Sequence, residues 1–72
     1  MFRIDIDLLD LKIKKARKTR EGLAAALGIH RSTFSRRLKD GTLTVEDLAI
    51  IVKELNLSQQ DVFDIFLFPE VA

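Results

Sequence analysis

The sequence predicts an all-α fold, a compact bundle of five short helices forming one domain over residues 1–72. Three observations carry that expectation. Apolar residues recur at helical spacing, beginning with Ile6, Leu9, Ile13 and Ala16. Helix-start chemistry appears twice in the same form, Thr44 with Asp47 and Ser58 with Asp61. Helix breakers are few, and Gly28, Gly41 and Pro69, the one proline, fall between or after those segments.

Each element follows from its residues. The first helix is expected over about 6–17, with Asp5 and Asp7 at its start and Arg17 and Lys18 at its end, as the helix dipole favours. Thr19 is the N-cap of a second helix carrying Leu23, Ala24 and Leu27, and Gly28 ends it. A third helix points Phe34 and Leu38 inward, with Ile29 just before it and Gly41 as its left-handed stop. The fourth starts at Thr44, with Leu43 stapled onto Leu48; its stripe is Val45, Leu48, Ala49, Val52 and Leu55, and Asn56 ends it. The fifth starts at Ser58, with Leu57 stapled onto Val62, and runs to about Leu67, where Phe68 and Pro69 break it.

Composition excludes several functions. The chain has no cysteine, hence no disulfide or thiolate metal site, and its one histidine is too few for a multi-His metal centre. No apolar run approaches the ~20 residues of a membrane span, and no signal-peptide pattern is present. No nucleophile–base pair stands out. The expectation is a cytoplasmic, non-enzymatic module of a bacterial or phage-infected cell, without cofactor, metal, membrane or small-molecule substrate. Asp5, Asp7 and Asp10 read as helix-start chemistry rather than as metal ligands.

The net charge of +1 conceals a strong asymmetry. Residues 1–10 carry −2, residues 11–39 carry +9 with Glu21 as the lone acid, and residues 40–72 carry −6. A basic segment of this density attracts polyanions.

The segment Thr19 to Leu38 reads TREGLAAALGIHRSTFSRRL. Two helices crossing steeply over a short turn need a small residue at the crossing, a residue tolerant of positive φ in the turn, and apolar residues facing inward from both sides. Ala24, Gly28, and Leu23, Leu27, Ile29, Phe34 and Leu38 meet these needs. This is a helix-turn-helix pattern over about 19–38. With the following TLTVEDLAIIVKELNLSQQDVFDIF, the chain from about Leu8 to Leu67 resembles the Cro/CI-type (XRE) helix-turn-helix family of phage Cro proteins and repressors. The resemblance implies a five-helix, lambda-repressor-like domain and a sequence-specific, usually dimeric DNA-binding role. Two residues depart from that pattern. Arg20 stands where the family often places a glutamine that touches phosphate and braces the third helix. Gly22 falls in the first turn of the second helix, at a cost of ~1 kcal/mol against alanine.

By that resemblance, the exposed positions of the third helix, and so the candidate base contacts, are His30, Arg31, Ser32, Ser35 and Arg36. Arg31 and Arg36 suit guanine O6 and N7. Thr33 lies sideways. The candidate phosphate contacts are Arg17, Lys18, Arg20, Arg37 and Lys39, helped by the amides at the start of the second helix. Lys12, Lys14 and Lys15 read equally as phosphate neighbours or as solvated lysines.

The apolar helix and tail over about 58–72 pose a separate question. Val62, Phe63, Ile65, Phe66 and Leu67 are apolar almost all round, more than one stripe requires. Phe63, Phe66, Leu67 and Phe68 are therefore candidate interface residues, unless the tail folds back to complete the core. As an interface they fit a homodimer on a palindromic operator. They also fit a heteromeric complex in which the chain is an antirepressor, or modulator, bound to a cognate repressor protein. The leading expectation is a Cro-like regulator of a phage genetic switch that acts by occupying double-stranded operator DNA.

Overall fold

The computed structural model describes residues 3–67. Helix α1, Ile6–Lys15, starts at Asp5, whose carboxylate accepts the Leu8 amide at 3.1 Å. Helix α2, Arg20–Leu27, starts at Thr19, and helix α3, Arg31–Asp40, at His30. Helices α4, Val45–Leu55, and α5, Gln59–Ile65, each begin with a reciprocal capping box. In these, Thr44 and Asp47 exchange two hydrogen bonds of 3.0 Å, and Ser58 and Asp61 exchange bonds of 3.0 and 3.1 Å. Such pairs satisfy amide donors that helix geometry leaves orphaned.

Four successive helices end on a residue in the left-handed region: Arg17 (φ 58°), Gly28 (φ 74°), Gly41 (φ 67°) and Asn56 (φ 52°). In each case the next residue's amide reaches back across the last turn. Lys18 bonds Ile13, Ile29 bonds Ala24, Thr42 bonds Arg37 and Leu57 bonds Val52, at 3.0–3.1 Å. Glycine or asparagine usually takes this position, so Arg17 is the exception. Its left-handed turn also ends α1 at Lys15 rather than at the expected residue 17.

The core is one cluster. It joins Leu9 and Ile13 of α1, Leu23 and Ala24 of α2, Phe34 and Leu38 of α3, Leu43 just before α4, Ile51 and Leu55 of α4, and Ile65 and Phe66. The buried side of α4 differs from the expected stripe. Ile51 is fully buried, whereas Val45 is 82% exposed and Ala49 is exposed. The run Ala49-Ile50-Ile51-Val52 is apolar throughout, so several stripes satisfy its periodicity and packing against α2 selects one.

One feature departs from an all-helical bundle. Helix α5 stops at Ile65, and Phe66–Leu67 (β2) pairs antiparallel with Arg3–Ile4 (β1), in the register Arg3 with Leu67 and Ile4 with Phe66. The Asp5 amide extends the join, donating to the Ile65 carbonyl at 2.7 Å. These strands tie the start of the described chain to its end. They also correct the interface expectation at Phe66. Its side chain is fully buried in the core, the alternative in which the end of the chain folds back to complete it. Phe63 is 57% exposed, and Phe68 lies outside the described residues.

Candidate nucleic-acid interface

The candidate site is the outer face of α3 with the corner between α1 and α2. Phe34 and Leu38 bury one side of α3, which fixes what the other side presents. On that other side Arg31, Ser35 and Lys39 follow one another at four-residue spacing, as do Ser32 and Arg36. Arg31, Ser32, Arg36 and Lys39 are exposed; Ser35 is half-buried. Thr33 is also half-buried, in keeping with a sideways position.

Arg20, the first residue of α2, joins three helices. Its Nε and Nη2 donate to the two carboxylate oxygens of Asp10 in α1, each at 2.8 Å, and its Nη1 donates to Ser35 Oγ in α3 at 3.3 Å. The Asp10 contact raises the Arg20 pKa further above its ordinary value, against a smaller opposing effect of burial. Arg20 therefore braces α3 through Ser35. Part of the bonding capacity of these two candidate DNA contacts thus goes to each other. Asp10 orients the brace. The sequence points to it only weakly, because ten residues separate it from Arg20 and it resembles the helix-start acids Asp5 and Asp7.

Ion pairing sorts the basic segment. Lys12 pairs with Asp61 at 3.0 Å, Lys18 with Glu54 at 3.7 Å, and Arg37 with Asp47 at 3.7 Å. The acidic second half of the chain thus folds back on part of the basic segment. Among the described residues, Lys14, Lys15, Arg17, Arg31, Arg36 and Lys39 form no ion pair. The basic charge left over lies on the exposed face of α3 and at the end of α1. Arg17 and Lys18 lead directly into Arg20, so the contact with Ser35 sets that corner beside α3.

His30 is the N-cap of α3, a role histidine seldom takes. Its Nδ1 accepts the Ser32 amide at 3.1 Å and lies 2.8 Å from Ser32 Oγ. A surface groove of about 360 Å³ opens beside it, lined by Glu21, Ala25, Ile29, His30 and Arg31. Gly22 has a local explanation. A Cβ there would approach Thr19 Oγ1 to 3.2 Å, pressing on the cap that accepts the Gly22 amide at 2.9 Å.

Of the remaining candidates, the Leu67 backbone pairs with Arg3 in the strand pair. Among the described residues no group of His, Asp and Glu side chains could hold a metal ion, and no helix is long and apolar enough to cross a membrane. No protein-family model, curated protein or solved structure matches this chain.

Proposed function

We propose that this chain is a sequence-specific DNA-binding transcription regulator, a Cro-like, lambda-repressor-like helix-turn-helix domain that acts by occupying an operator. The observation that carries the reading is the pair Arg31 and Arg36. Both are exposed on the face of α3 opposite Phe34 and Leu38, and both are without an ion pair among the described residues. A helix of this width enters the major groove, where arginine forks onto guanine. Arg17, Lys14 and Lys15 supply salt-sensitive attraction to phosphate. Lys18, Arg20 and Arg37 contribute less than their charge suggests, since each already holds a carboxylate.

The rival reading, an antirepressor that binds a cognate repressor protein through the apolar end, retains Phe63 as an exposed anchor but not Phe66.

Selection from a random duplex pool with the purified protein, at ~0.1 M salt, tests the proposal. An enriched palindrome is the result for a homodimer on an operator, and a single enriched half-site the result for a monomer. Arg36→Ala relaxes the preference at one base pair. Absence of any enriched sequence, from protein shown to be folded, overturns the reading in favour of a protein partner.

A further inference from the structure

The hydrogen bonds at the start of α3 decide which polar atoms this face can offer. A backbone amide only donates, so the Ser32 amide at 3.1 Å requires a lone pair on His30 Nδ1. In the neutral ring the proton then resides on Nε2. With Nδ1 unprotonated, the 2.8 Å approach of Ser32 Oγ to the same atom is attractive only if the serine hydroxyl donates too. The amide and the hydroxyl share one acceptor. The Ser32 hydrogen is thereby consumed locally, and what Oγ turns outward is lone pairs. Ser35 is set the opposite way. Its Oγ accepts from Arg20 at 3.3 Å, which leaves its hydrogen free to donate. Arg31 and Arg36 can only donate.

We propose that the His30–Ser32 couple fixes the polarity of the reading face, so that Ser32 recognises a base bearing an exocyclic amine while His30, through Nε2–H, recognises an acceptor. This rests on the DNA-binding reading and adds to it a specificity-determining pair. In the major groove the amine donors are adenine N6 and cytosine N4, and guanine and thymine present acceptors. Among His30, Arg31, Ser32, Ser35 and Arg36, Ser32 is the one left with lone pairs alone, whereas Ser35 keeps both a hydrogen and a lone pair. His30, Arg31 and Arg36 favour acceptor-rich edges such as guanine.

The chain has one histidine, so its ring nitrogens give an unambiguous NMR signature. In a long-range proton–nitrogen correlation recorded at a pH where the spectrum itself shows the ring to be neutral, the expected pattern is protonated Nε2 and bare Nδ1. Protonated Nδ1 overturns the proposal without reference to DNA. The second arm repeats duplex selection with Ser32→Ala, an exposed position whose loss leaves the His30 cap in place. Discrimination is expected to fall about fivefold, the value of one neutral hydrogen bond, at one base pair whose contacted base carries an exocyclic amine. The third arm uses His30→Ala, checked for folding by circular dichroism. That variant frees the Ser32 hydrogen, so the base pair that Ser32→Ala identifies comes to tolerate an acceptor. If the wild type enriches a site and Ser32→Ala reads it unchanged, the polarity proposal falls and the DNA-binding reading stands. If the folded wild type enriches nothing, the DNA-binding reading falls and takes this proposal with it.

Discussion

Arg20 grips Asp10 through two parallel hydrogen bonds of 2.8 Å, one to each carboxylate oxygen. The fork geometry makes this a stronger pair than a single surface contact. The Asp10 side chain is nonetheless 45% exposed, so solvent screens part of the attraction. Asp10→Ala and Arg20→Ala are each expected to destabilise the fold, with a coupling of about 0.5–1 kcal/mol in a double-mutant cycle. Urea denaturation measures it. A coupling indistinguishable from zero would mean that the pair orients α3 without stabilising the fold.

Arg17 occupies a left-handed turn at φ 58° that glycine normally fills. A side chain there costs of order 1 kcal/mol, partly offset because glycine frees the unfolded chain. Arg17→Gly is expected to raise the melting temperature by a few degrees. The same variant is expected to bind duplex DNA more weakly and to flatten the salt dependence by about one unit of slope. Greater stability with unchanged DNA affinity would remove Arg17 from the proposed phosphate contacts.

Phe66 and Phe63 are three residues apart and have opposite surroundings, one fully buried and the other 57% exposed. Phe66→Ala opens a core cavity at a cost of about 3–5 kcal/mol. That is comparable to the whole stability of a domain this small, so thermal melts are expected to lose cooperativity or fall far in temperature. Phe63→Ala is expected to cost much less. Similar melts for the two variants would contradict the burial of Phe66 in the core.

Asp61 titrates below its ordinary carboxylate value, chiefly because the Ser58 amide bonds its carboxylate and secondarily because Lys12 lies against it. A depressed folded pKa stabilises the fold above the unfolded value near 3.8, and that stability is lost as pH falls through the folded value. Asp61→Asn keeps an acceptor for the cap but abolishes the titration. The variant is expected to be less stable at neutral pH and to show a shallower stability loss through the acid range. Parallel acid profiles for wild type and variant would assign the acid sensitivity to other carboxylates.

The legible part of this protein is what three or four consecutive residues decide among themselves. Thr44 with Asp47 and Ser58 with Asp61 announce their caps, because both partners lie within one turn. Gly28, Gly41 and Asn56 announce the stops, because the demand for positive φ is a property of one residue. His30 as a cap escaped this logic, since the residue type is unusual there and only the Ser32 amide bond identifies it.

The sequence by itself determined the helices, their order and the inward side of α3, because caps and periodicity act locally. Tertiary structure decided the rest. It selected Ile51 over Val45 as the buried line of α4, drew Asp10 to Arg20 across ten residues, and spent Asp47, Glu54 and Asp61 on three cations of the basic segment. It also paired Arg3–Ile4 with Phe66–Leu67, two-residue strands too short to carry an alternating pattern. The physical reason is common to all of these. Each depends on which distant group arrives opposite, and an ion pair, a buried stripe or a strand register has no energy until the chain has folded to bring its partner within reach.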